Sequence, residues 1–263
     1  MTPSTRDIVA YVEHLSGHPL NRDEGIKHGD PARPLAGVLV CWVASGDALE
    51  AAARHGCNLV LAHESLYYPY NATDRADNPA GWEDWPTNRA RRALLERHGL
   101  TLLRVHGSLD EIAIFDDFAA LLGLGAPAQA EGLAKVYDIP PCTVAALVAR
   151  VKERTGLRTL RVSAPRGMDQ TVRRVGLPWG GLGLSVNVAY QERLVEMGCD
   201  ALIAGESDDY GFRFGAELGI PLIETGHVLS ENPGLRRFVG MLSERFPELP
   251  VRFYGSPPAW EIV

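Results

Sequence analysis

The sequence predicts an α/β protein with mainly parallel sheets, built from two related halves. Three observations carry that prediction. First, a thirteen-residue stretch occurs twice: Gly56-Cys57-Asn58-Leu59-Val60-Leu61-Ala62-His63-Glu64-Ser65-Leu66-Tyr67-Tyr68 and Gly198-Cys199-Asp200-Ala201-Leu202-Ile203-Ala204-Gly205-Glu206-Ser207-Asp208-Asp209-Tyr210, with six positions identical. Second, each copy is followed by an apolar run that leads into a histidine and then a carboxylate four residues on, His106 to Asp110 and His227 to Glu231. Third, apolar runs of strand length alternate with segments of helical period along the whole chain, the pattern of α/β units. Internal repetition decides architecture, so the chain divides into halves at 1–125 and 126–263.

Each element follows from its residues. Ser4 to Leu15 is a helix, because Ile8, Val9, Val12 and Leu15 fall at helical spacing. His18 to Pro34 reads as a loop. Leu35 to Val43 is a buried strand, apolar almost throughout. Ser45 or Asp47 caps a helix that stops at Gly56. Leu59 to Ala62 is the strand that ends in His63-Glu64. Pro69 to Pro86 is a long loop, Thr87 to Arg97 a helix, Leu100 to Val105 a strand and Asp116 to Leu122 a helix. The second half has a helix at Cys142 to Thr155, strands at Leu157 to Ser163 and Val172 to Leu177, and a helix at Val188 to Met197. Ala201 to Ala204 and Leu222 to Thr225 are strands, Phe212 to Leu218 a helix, and Pro233 to Phe246 the last helix, with Pro233 in its first turn. Trp179-Gly180-Gly181-Leu182-Gly183 lacks the lysine and hydroxyl of a phosphate loop and reads as a plain turn.

Composition excludes several classes. A net charge of −7 argues against binding along nucleic-acid backbones. The four cysteines form no C-x-x-C pair and read as buried reduced thiols. The first residues lack the apolar block of a signal peptide, and no apolar run reaches the roughly 20 residues of a membrane span, so a cytoplasmic protein is expected.

In parallel sheets, ligands collect beyond the carboxyl ends of the strands. His63, Glu64, His106, Asp110, Glu206, His227 and Glu231 all belong there. Imidazole and carboxylate together suit zinc, manganese, iron, cobalt or nickel. A capping role for Glu64 and Glu206 is the competing structural reading.

Leu61-Ala62-His63-Glu64, Val105-His106-Gly107-Ser108-Leu109-Asp110 and Gly226-His227-Val228-Leu229-Ser230-Glu231 resemble the Nif-three-like dinuclear-metal family, whose members are often labelled GTP cyclohydrolase I type 2. Asp23-Glu24-Gly25-Ile26-Lys27-His28-Gly29 stands in place of the family's amino-terminal D-N-x-G-L-x-x-G pattern. The resemblance runs over nearly the whole chain. It implies two interlaced α/β domains and a toroidal homohexamer, with the metal pair facing the inner cavity. It also implies one or two divalent metals per chain. His63, Asp110 and Glu231 would hold one; His227, Glu231 as bridge and residue 64 would hold the other. The family has a His-His pair where this chain has His63-Glu64. Carboxylate oxygen gives that second position a harder character, suited to manganese or magnesium. His106 is cast as an outer ligand, as a residue that orients a ligand from behind, or as a proton shuttle, and Glu206 as a supporting or acid-base group.

Two functions fit this pattern. One is a metal-dependent hydrolase of a nucleotide, phosphoester or related small substrate, with Glu206 or His106 handling the proton. The other is a non-catalytic metal-binding ring that serves as assembly factor, metal carrier or scaffold.

Overall fold

The computed structural model describes residues 2–260 and residue 262. The chain forms two compact units: one from residues up to 113 together with those from 235 onward, the other from residues 114–234.

The first unit opens with helix α1 (Thr5–Ser16), where the Asp7 carboxylate accepts from the Ser4 amide and Gly17 closes the end at φ +77°. Strand β1 (Gly25–His28) follows, then β2 (Val38–Cys41). Helix α2 (Gly46–Arg54) is capped by Ser45, whose hydroxyl accepts from the Ala48 amide. After β3 (Leu59–Ala62) come two 3-10 turns, Ala72–Asp74 and Trp82–Asp84, and then α3 (Pro86–His98). Strand β4 (Thr101–Arg104) leads into α4 (Gly107–Leu109) and a π-turn over Asp110–Ile114. The sheet order is β1-β4-β3-β2-β11, with β11 (Val251–Tyr254) parallel to β2. β2, β3 and β4 are buried along their full length; β2 and β3 are all apolar, as strands covered on both faces require, whereas β4 carries the buried polar ends Thr101 and Arg104.

The second unit begins with α5 (Phe115–Leu121) and the antiparallel pair β5 (Gln129–Glu131) and β6 (Ala134–Thr143). There follow α6 (Val144–Thr155), β7 (Arg161–Ser163), β8 (Thr171–Gly176) and α7 (Val188–Glu196). Next come β9 (Ala201–Ala204), α8 (Asp209–Leu218), β10 (Leu222–Glu224) and α9 (His227–Arg245). The sheet order is β5-β6-β8-β9-β10-β7. Its core gathers Val136, Leu194, Leu202 and Leu222. Cys57 and Cys199, equivalent in the repeat, are each buried in the core of their own unit.

The α/β reading stands, with three differences. Only the first sheet is mainly parallel; in the second, β5, β6 and β7 pair antiparallel and only β8, β9 and β10 run together. The units are not the contiguous halves 1–125 and 126–263, because β11 returns to the edge of the first sheet and takes residues from 235 onward with it. Helix α9 starts at His227, so Pro233 lies inside it instead of in its first turn. Of the four thiols, Cys41, Cys57 and Cys199 are buried, while Cys142 is partly exposed. Burial pushes the Cys41 thiol up to about 12, beyond reach of ordinary thiolate chemistry. Among the described residues, no helix is long and apolar enough to cross a membrane.

Candidate metal-ligating sites

In the first unit, parallel pairing sets the carboxyl ends of β3 and β4 side by side, with Ala62 opposite Arg104. His63 and His106 therefore project from adjacent strand ends, and their rings lie 4.9 Å apart. The turn after His106 brings Asp110 back over the same end. His63, His106 and Asp110 each offer a ligand atom within 4.8 Å of the others.

His63 is fully buried, and its Nδ1 lies 3.1 Å from the Val105 carbonyl. A carbonyl only accepts, so Nδ1 carries the proton. In a neutral ring, Nε2 then presents its lone pair to the Asp110 carboxylate, 3.9 Å away. Positive charge between them, whether a second proton on the ring or a bound cation, completes this pair. These donors fit a divalent cation.

Glu64 is buried, and its amide donates to the Trp42 carbonyl. Its carboxylate lies 3.9 Å from the Arg104 guanidinium. It also hydrogen-bonds the Tyr70 hydroxyl, which burial and this carboxylate push upward in pKa. Glu64 does not cap a helix, since a bend and turn follow β3.

Four further residues of this unit have roles that the sequence did not announce. β1 runs antiparallel to β4 with Gly25 opposite Arg104, so the residues just before β1 meet the end of β4. Glu24, buried, accepts four hydrogen bonds: from the amides of Asn21, His106 and Ser108 and from the Ser108 hydroxyl, at 2.7–2.8 Å. It pins the turn that carries Asp110. Asp23 takes both His106 Nδ1 at 3.0 Å and Arg104 Nη1 at 3.1 Å on one oxygen. The His106 ring and the guanidinium beside it hold its carboxyl down at about 2. Arg104 is buried and also donates to the His63 carbonyl, the Asn71 side chain and the Tyr70 hydroxyl. Tyr70 in turn lies 3.3 Å from His106 Nε2.

The second unit repeats the device. β8, β9 and β10 are parallel, so their carboxyl ends lie together, and the loops that follow are stitched to one another. Gly205 donates to the Pro178 carbonyl, Glu206 to Gly180 and Gly226 to Gly205. The Gly180 amide donates to the Ser230 hydroxyl, which donates to the His227 carbonyl. On this platform the His227 ring lies between two carboxylates: Nδ1 is 2.8 Å from Glu206 and Nε2 is 3.1 Å from Glu231. A neutral imidazole donates to only one of them, so a cation again fits at the other side. Glu206 thereby holds the ring of His227, as carboxylates do behind metal-ligating histidines. Glu231 is buried and Glu206 half-exposed, the side chain of Glu206 being 48% accessible.

Trp179–Gly183, read from the sequence as a plain turn, lies against these groups. A Cβ on Gly180, whose φ is +52°, would fall on the Glu231 carboxylate and 3.2 Å from His227 Nε2. The only signal in the sequence was the cluster of glycines itself.

Comparison with known proteins identifies the family and the fold. The sequence model of Duf34/NIF3 (NGG1p interacting factor 3) matches residues 5–257. A protein named GTP cyclohydrolase 1 type 2 homolog from Allochromatium vinosum is 27% identical over 223 residues, 81% of this chain and 80% of its own length. One of the same name from Clostridium perfringens is 21% identical over 259 residues, 91% of each chain. A crystal structure of a Bacillus cereus protein related to NIF3 has the same fold, with a TM-score of 0.79 at 14% identity, covering 100% of this chain and 99% of that one. With the family model matched from the first helix to beyond the last strand, this chain belongs to the Duf34/NIF3 family.

Proposed function

We propose that the chain binds one or two divalent first-row metals through His63, His106 and Asp110 in the first unit and His227 and Glu231 in the second, and that it is a metal-dependent hydrolase of a nucleotide, phosphoester or similar small substrate. The observation that carries the metal reading is the facing of His63 Nε2 and Asp110 within a buried setting. Glu64, with Arg104 and Tyr70 on its carboxylate, adds an oxygen donor of harder character beside His63. A bound cation would supply Lewis acidity toward a carbonyl or phosphoryl oxygen. Glu206 holds the His227 ring and is open enough to exchange a proton with a substrate. The hydrolase assignment draws on the names of the relatives, GTP cyclohydrolase 1 type 2 homolog, which describe those proteins.

Protein purified without chelator is expected to carry one to two equivalents of metal per chain by elemental analysis. Asp110→Ala and Glu231→Ala should each remove more metal than His106→Ala. No metal after incubation with zinc, manganese or iron would sink the assignment. Turnover of a phosphoester or nucleotide panel that vanishes with chelator and returns with one metal supports the hydrolase. Full metal occupancy without turnover supports the carrier or scaffold.

The family resemblance further suggests a closed homohexamer, with the ligand sets facing its cavity. Sedimentation should give a single species of six chains at all concentrations; a concentration-independent monomer would remove the ring.

A further inference from the structure

Which nitrogen of an imidazole carries the proton is set by the hydrogen bond made at the other, and a ligating nitrogen must offer a lone pair. For His63 the Val105 carbonyl makes that choice. For His106 the group at Nδ1 is a side chain, Asp23. The Asp23 oxygen that meets Nδ1 at 3.0 Å is the same oxygen that meets Arg104 Nη1 at 3.1 Å. A guanidinium has donors and no acceptor, so that oxygen is an acceptor toward Arg104, and its remaining lone pair faces the ring. Arg104 has no freedom to turn away, being buried and tied to the His63 carbonyl, the Asn71 side chain and the Tyr70 hydroxyl. At the other side of the ring, the Tyr70 oxygen accepts from Arg104 Nη2 at 3.0 Å and so has its hydrogen to give. Its one hydrogen can go to His106 Nε2, 3.3 Å away, or to the Glu64 carboxylate, so Tyr70 accommodates a lone pair on Nε2 without dictating it.

We propose that Asp23, braced by Arg104, is a positioning residue that holds His106 with its proton on Nδ1 and turns Nε2, as a lone-pair donor, toward the set formed with His63 and Asp110. The inference rests on the metal reading above but has its own observable. The two units then orient their outer histidines in the same way, Asp23 behind His106 and Glu206 behind His227. The supporting carboxylates come from unrelated places in the chain: Asp23 precedes β1, whereas Glu206 follows β9.

The test uses the full-length, 15N-labelled protein at a pH where the imidazoles are neutral. Two-bond 1H–15N correlations, with the His106 signals assigned by loss in His106→Gln, should report the Nδ1–H form in the wild type. Asp23→Ala should lose that form, Asp23→Glu should restore it, and Tyr70→Phe should keep it. An Nε2–H ring in the wild type, which needs no variant to observe, overturns the proposal, as does an unchanged tautomer in Asp23→Ala. Manganese titration gives the second readout. Affinity should fall about 10–100-fold in Asp23→Ala and recover in Asp23→Glu. A wild type that takes manganese while Asp23→Ala takes it equally well overturns the positioning role and leaves the metal reading intact. A wild type that takes no metal at all sinks the metal reading, and the tautomer measurement still decides the role of Asp23.

Discussion

Glu24→Ala should be among the most damaging single substitutions in the first unit. The carboxylate is buried and accepts from three amides and one hydroxyl at 2.7–2.8 Å. Removing it leaves the His106 and Ser108 amides facing a void, and each buried donor without an acceptor costs about 1–3 kcal/mol. A total of about 3 kcal/mol is expected, a fall in melting temperature of about 6–12 °C. Glu24→Gln should be nearly as harmful, because an amide nitrogen would set a donor against donors. Both variants should also lose metal, since the turn they loosen carries Asp110. Thermal unfolding with elemental analysis checks the pair. A Gln variant as stable as wild type would mean that the carboxylate's charge and acceptors are dispensable there.

Gly180→Ala should have the largest effect on the second unit's ligand set. The φ of +52° is tolerable for alanine at about 1–2 kcal/mol, so the backbone alone does not forbid it. The obstacle is the Glu231 carboxylate, which occupies the place of the new methyl group. Glu231 must swing aside or the loop must lift from the Ser230 hydroxyl. Metal affinity should drop more than tenfold, while Gly181→Ala, whose Cβ would meet neighbours only at 3.4 Å and beyond, should cost little. Equal affinities in the two variants would show that the loop does not constrain Glu231.

The parts of the fold that the sequence revealed are those governed by local patterns. The segments 59–62, 101–104, 201–204 and 222–224, each apolar at its centre, are strands, and the capped or glycine-terminated helices fall close to where periodicity puts them. The His-x-x-x-carboxylate spacing of His106 with Asp110 and His227 with Glu231 was equally visible. The local hairpin of β5 and β6 went unread, and the rest of what stayed hidden depends on distant pairing. Residues 25–28 look like loop because nothing in Gly-Ile-Lys-His marks a strand until it lies against β4, about eighty residues away in the chain. With β1 unseen, Asp23 and Glu24 could not be placed beside His106. β11 was hidden for the same reason, and with it the discontinuity of the first unit. The repeat also held a clue at one position where its copies differ, His63 against Gly205. In the second unit the Gly180 backbone passes so close that a Cβ at 205 would lie 2.5 Å from it, which leaves glycine as the fitting residue.

The return of β11 to the first sheet also bears on synthesis. Residues 114–234 form a contiguous unit whose strands can all pair as soon as they emerge. The earlier-made sheet cannot be completed then, because the outer edge of β2 has no neighbour until Val251–Tyr254 leave the ribosome. During that interval a fully apolar strand presents open backbone donors and acceptors, the kind of edge that recruits stray chains. The sheet begun at β2 is thus completed only after residues 114–234 have been made, and its open edge is exposed to aggregation throughout their synthesis.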